Sequence, residues 1–154
     1  MIHELVHQWW GLGNMFDTSD ETSAWSAEGL TVYTTYRIVK ELYGEDYAQK
    51  HYVQQWQQAV DDYYLNFYVR NPNYLNMLPQ DKQLEITNDL TYVRQYCEMP
   101  LKIQKAEELC GGEEAMDEVL HSLFNRELDP AYPYLTYQEF LDACGLSEED
   151  LNLA

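Results

Sequence analysis

The sequence predicts a mainly α-helical chain, and three observations carry that expectation. Side chains suited to a core recur at helical spacing in separate stretches, as in Leu30, Tyr33, Thr34, Ile38 and Leu42. Glycines fall where such stretches stop, at Gly11 and Gly13, at Gly44 and at Gly111-Gly112. A capping box, Thr136-Tyr-Gln-Glu139, opens another of them. With 154 residues, 45% of them hydrophobic, the chain can bury one core and is too short to expect two, so 1–154 reads as a single α-helical domain.

The first element, from Ile2 to about Gly11, holds the densest chemistry: IHELVHQWWG. On a helix, positions four apart stack on one face, so His3 and His7 can point at one metal ion while Glu4 flanks the open coordination side. Neutral imidazole suits zinc, and a catalytic zinc site takes three protein ligands and leaves a fourth position for water. The clearest third candidate is Glu28, in Trp25-Ser-Ala-Glu28-Gly-Leu-Thr-Val-Tyr33. That stretch reads as the first turns of a second helix, capped by Thr22 or Ser23 and running to about Tyr43. The aromatic residues Trp9, Trp10, Trp25, Tyr33 and Tyr36 are expected to pack rather than to line a pocket.

The run HELVHQWWG followed by WSAEGLTVY resembles the zinc-binding core of the aminopeptidase N family of gluzincins, whose pattern is HELAHQWFG and then a WLNEGFASY-like segment. The resemblance implies His3, His7 and Glu28 as ligands of one zinc ion (Zn2+) and Glu4 as the base. It also implies a fold, the helical subdomain of a thermolysin-like catalytic domain. Twenty residues separate His7 from Glu28, two more than is usual in the family, and the surplus falls in the polar stretch Asn14 to Thr22, where it enlarges a loop. Val32 stands four residues after Glu28, so the aspartate that thermolysin carries one turn on is missing and no partner for the outer imidazole nitrogens can be named.

A third helix is expected from Glu45 or Asp46 to about Phe67, with Tyr47, His51, Trp56, Val60 and Tyr64 inward. His51 and His121 are lone histidines and are read as surface or core residues rather than ligands. Between Tyr68 and Leu90 the turn formers Asn71-Pro72-Asn73, Leu78-Pro79-Gln80-Asp81 and Asn88-Asp89 predict a loop of about twenty residues, with a short helix near Pro79 to Leu84, bordering the substrate cleft. From Tyr96 the segment YCEMPLKIQKAEELCG aligns without gaps on the family's YEKGALVLHMLRRELG-like helix. The resemblance therefore makes Tyr96 the hydrogen-bond donor to the oxyanion, with Tyr92, one turn earlier, as the alternative. Glu98 and Met99 replace the family's usual Lys and Gly, and Pro100 fits an early helix turn or kinks the helix. Glu113 to about Arg126 reads as an amphipathic helix with Met116, Val119, Leu120, Leu123 and Phe124 inward. A turn at Asp129-Pro130, the capped helix through Ala143 and a last short helix from Ser147 complete a cover that carries no chemical constellation.

Nine Lys plus Arg against 27 Asp plus Glu give a formal charge of -18, which excludes a nucleic-acid or anionic-membrane partner. No apolar run has the length of a membrane span, and the chain reads as a soluble segment. Its compartment stays unassigned, and a place outside the cytoplasm in a larger membrane protein is compatible with the family. Cys97, Cys110 and Cys144 lack the spacing of a metal or redox site and are expected to be buried as thiols. With the first ligand at residue 3, the upstream sheet and the family's Gly-x-Met-Glu-Asn anchor for a free amino terminus are expected on a preceding part of a longer peptidase. The functional expectation is a zinc metallopeptidase, of the aminopeptidase kind, acting on peptides. The alternatives are a zinc-binding but catalytically silent module, structural or partner-binding, and a helix pair holding no metal.

Overall fold

The computed structural model describes residues 1–13 and 25–153. Among these the chain is mainly helical, with no β-strand and only an isolated bridge between Asp129 and Tyr132. The mainly α expectation therefore holds. Helix α1 spans Ile2–Val6, shorter than expected, and a turn takes the chain on to Gly11. The His7 amide still bonds the His3 carbonyl at 3.3 Å, which keeps the two imidazoles one turn apart. At Gly11 a φ of 97° takes the backbone out of the helix, and Leu12 N–H closes onto the His7 carbonyl at 3.0 Å.

Helix α2, Leu30–Tyr43, continues a π-helical turn at Trp25–Gly29 and ends at Gly44. The caps expected at Thr22 and Ser23 lie outside the described residues. Leu30 and Tyr33 are buried as expected, whereas Leu42 faces solvent in the last turn. The expected third helix is found as α3, Glu45–Ala48, a second π turn at Gln49–Val53, and α4, Gln54–Leu65. Trp56 and Val60 point inward, but Tyr47, His51 and Tyr64 are exposed and Ala48 is buried in their place. A π turn takes an extra residue to complete its circuit, so the strict 3.6-residue stripe does not carry through it.

The region from Tyr68 to Leu90 departs most from expectation. In place of a loop, the chain forms α5, Phe67–Arg70, α6, Pro72–Leu75, and α7, Gln80–Val93. The prolines start helices here rather than interrupt them: Pro72 is the first residue of α6 and Pro79 directly precedes α7, positions where a missing N–H costs nothing. Gln83, Ile86, Leu90 and Val93 are half-buried at helical spacing, and α7 packs on α4. Asn88 and Asp89 ride the exposed side, where their turn preference is a weak penalty.

A third π turn, Arg94–Glu98, leads without a break into α8, Met99–Cys110. Pro100 has no N–H for the Tyr96 carbonyl four residues back and its ring crowds that carbonyl, which explains why the helix widens at this point. Helix α9, Glu113–Phe124, buries Met116 and Leu123 and leaves Phe124 partly exposed. Helix α10, Tyr137–Cys144, carries the expected capping box, in which Glu139 N–H donates to Thr136 Oγ1 at 3.1 Å and Thr136 N–H to Glu139 Oε2 at 2.7 Å. Ser147 to Asp150 forms a hydrogen-bonded turn instead of a helix. No helix among the described residues is long and apolar enough to cross a membrane.

One buried cluster runs from Val6 and Trp10 through Trp25, Trp56, Ile103 and Phe140 to Leu151. Trp10, Trp25, Tyr33 and Tyr36 all belong to it, so these rings pack, while Trp9 is half-exposed. A polar brace ties α2 to α8 and α9. The Tyr33 hydroxyl donates to buried Glu107 and accepts from Arg37 Nη1 at 2.8 Å, and Arg37 reaches Asp117 at 3.2 Å. Burial and the neighbouring Glu107 carboxylate hold the Tyr33 hydroxyl neutral well above the usual tyrosine range. Replacing it by phenylalanine leaves Glu107 short of a donor, so Tyr33→Phe is expected to cost about 1–3 kcal/mol and several degrees of melting temperature. Because Tyr33 is raised in the fold, its stabilisation is complete below the unfolded tyrosine pKa of about 10 and is lost at higher pH. In thermal melts the gap between wild type and Tyr33→Phe should narrow above pH ~10, the range set by that unfolded value.

Candidate metal centre

Glu28 sits in the π turn that opens α2, and that turn packs on α8 and on the π turn at Arg94–Glu98. Gly29 permits the approach: a Cβ there would lie 2.9 Å from Met99 Cβ, closer than side chains tolerate. Glu28 is thereby fixed between the imidazoles of α1 on one side and Tyr96 on the other. Glu28 and Tyr96 each sit in a π turn, a geometry that recurs where a helix must aim a side chain off its regular face.

Three donor atoms converge. His3 Nε2 and His7 Nε2 are 3.1 Å apart, and each faces Glu28 Oε2, at 3.3 and 3.5 Å. The three residues are the one group of metal-ligating side chains found among the described residues, and His51 and His121 stand apart from it. A tetrahedral ion bonded at about 2.0–2.1 Å holds its ligands roughly 3.3 Å from each other, so the observed edges suit a zinc ion. The second test of fit is chemical: Glu28 Oε2 is buried and accepts no hydrogen bond, a costly arrangement for a carboxylate oxygen that a cation would relieve.

The outer nitrogen of His7 has the partner that the sequence left unnamed. Nδ1 lies 3.0 Å from the Trp10 carbonyl and 3.2 Å from Thr31 Oγ1. A carbonyl only accepts, so the proton of this imidazole belongs on Nδ1 and its Nε2 lone pair faces the centre. Trp10 is itself held to α2 by donation from Nε1 to Thr34 Oγ1 at 3.2 Å. Thr31 was not singled out in the sequence, although a hydroxyl one turn after Glu28 on a buried helix was a usable signal.

Tyr96 occupies the other side. Its ring stacks on His3 with centroids 6.1 Å apart, and the Glu28 carboxylate is near enough to act on its hydroxyl. Burial and then Glu28 push this hydroxyl up to about 12, so it stays a proton donor at neutral pH. Tyr92 also stacks on this ring, with centroids 4.5 Å apart, and is more than half exposed. Glu4 is exposed, and its negative charge reaches Tyr96, on which it acts to keep the hydroxyl protonated. The stretch expected to border the cleft as a loop is helical, with α7 running directly into the π turn that carries Tyr96.

Comparison with protein-family models, with curated proteins and with solved structures returns no match. The reading of this centre therefore rests on its geometry and on the local motif.

The close approach at Gly29 is directly testable. Gly29→Ala is expected to destabilise the fold by about 1–3 kcal/mol through overpacking against Met99. In a double-mutant cycle, Met99→Gly should recover most of that loss, since it removes the Cβ that the new methyl meets. Chemical denaturation of the four proteins measures it; additive losses would place the strain elsewhere.

Proposed function

We propose that the chain is the zinc-binding part of a metallopeptidase that hydrolyses peptide bonds, of the aminopeptidase kind. The observation that supports this best is the convergence of His3 Nε2, His7 Nε2 and Glu28 Oε2 on one point, with the carboxylate oxygen buried and short of a hydrogen bond. These three residues would hold the ion. When bound, zinc supplies a Lewis acid that polarises a carbonyl and brings the pKa of a coordinated water towards neutrality.

The remaining chemistry belongs to the protein. Glu4 is exposed beside the ligand pair, free to take a proton from the attacking water and later to deliver it to the leaving amine. Its position on α1, next in sequence to His3, keeps it at the centre without making it a ligand. Tyr96 supports the reading from the opposite side. Its hydroxyl, kept protonated, donates to the oxygen that gains negative charge as the carbonyl becomes tetrahedral. The stack of Tyr92 on Tyr96 and of Tyr96 on His3 limits the motion of that donor. The acidic surface suits a peptide substrate better than a nucleic acid or an anionic bilayer.

Elemental analysis of purified protein should find one zinc per chain, and Glu28→Gln or His3→Ala should remove most of it. Glu4→Gln should retain the zinc while amino-peptide hydrolysis falls at least 100-fold, as expected for loss of a general base. Tyr96→Phe should likewise keep the metal and reduce kcat about 100-fold, leaving KM close to unchanged. Full occupancy with no hydrolysis by the wild type would instead identify a silent zinc module.

A further inference from the structure

Resting on the reading of His3, His7 and Glu28 as a zinc centre, we propose that Thr31 is a positioning residue that locks the His7 ring to the segment carrying Glu28. The two ligand-bearing pieces come from distant parts of the chain, His7 and Glu28 standing 21 positions apart, and α1 is only five residues long, with His3 inside it and His7 at its C-cap. Thr31 bridges them. It stands one turn beyond Glu28 on α2, is wholly buried, and its Oγ1 lies 3.2 Å from His7 Nδ1 and 3.5 Å from the Trp10 carbonyl.

The hydrogen-bond logic admits one arrangement. His7 Nδ1 at 3.0 Å from the Trp10 carbonyl must carry the proton, because an unprotonated nitrogen would set two lone pairs against each other. Thr31 Oγ1 then accepts from the same N–H and turns its own hydrogen towards the Trp10 carbonyl. The imidazole proton is thus shared between two acceptors on two different elements, and the ring cannot rotate about its Cβ–Cγ bond or change tautomer without breaking both. A carbonyl partner alone would fix the tautomer relative to α1. The hydroxyl adds the tie to α2, so that the His7 lone pair and the Glu28 carboxylate keep their relation before any ion arrives. Partners of this kind are worth about 10–100-fold in metal affinity.

Valine is nearly isosteric with threonine and removes only the hydroxyl. Thr31→Val is therefore expected to weaken zinc binding about 10-fold or more, read by competition with a chromophoric chelator, and Thr31→Ser to restore affinity to within about 3-fold of wild type. On wild-type protein without metal, nitrogen-15 NMR of His7 should show the Nδ1–H tautomer, a readout independent of any variant's folding. Wild-type zinc affinity in a folded Thr31→Val protein, or a dominant Nε2–H tautomer in the wild type, would overturn the proposal. Absence of zinc binding by the wild type, with the Nδ1–H tautomer present, would instead overturn the zinc reading on which it rests.

Discussion

Three electron-rich atoms facing one another at 3.1 to 3.5 Å is the constraint that the rest of this structure serves. Two imidazole nitrogens and a carboxylate oxygen this close need a shared proton or a cation among them, and in a partly buried setting the cost of leaving them without one rises as the dielectric falls. Apolar packing holds them there. Val6 and Trp10 anchor α1 in the core and Leu30 and Tyr33 anchor α2, so the ligand-bearing faces meet as the edge of a hydrophobic contact. The Tyr33–Glu107–Arg37 brace then fixes α2 from behind, on α8 and α9.

The same constraint accounts for the irregular helices. A regular α-helix repeats its directions every turn, and a side chain that must leave the stripe needs a local change of pitch. Glu28 and Tyr96 both sit on π turns, and those turns touch each other through the gap left by Gly29. Pro100 forces the wider turn around Tyr96, because a regular turn would bring its ring against the Tyr96 carbonyl. What reads in the sequence as a possible kink is thus the device that presents a tyrosine to the centre.

The centre was legible in the sequence because its information is local. His3 and His7 are one turn apart, and the spacing alone puts them on one face. Glu28 was found by motif, but the element that delivers it, a π turn seated against Met99, leaves no periodic signature. Helix ends marked by Gly44, Gly111 and the Thr136 capping box were equally plain, since each is a backbone requirement of a few neighbouring residues. The stretch from Tyr68 to Leu90 misled because Asn, Asp and Pro carry turn preferences that tertiary packing of Ile86, Leu90 and Val93 on α4 overrides. Tyr47 failed as an inward residue because an unseen π turn moved the buried stripe to Ala48, and Tyr64 because it lies in the last turn of α4, half-exposed with its hydroxyl donating to Glu98.

The charge of the chain bears on the centre in a limited way. Six of its nine basic residues, Arg37, Lys40, Lys82, Arg94, Lys102 and Arg126, are in ion pairs with carboxylates, several of them bridging helices. Most cations are therefore engaged as braces, and the chain keeps a formal surplus of 18 negative charges. Such a field attracts any cation over about a Debye length, ~8 Å at physiological salt, and does so without discrimination. It would concentrate calcium or magnesium as readily as zinc. Selection must come from the donors, and two imidazole nitrogens with a single carboxylate oxygen are a poor set for hard oxygen-seeking ions. If the proposed centre holds an ion, the His3–His7 pair rather than the field would set its identity.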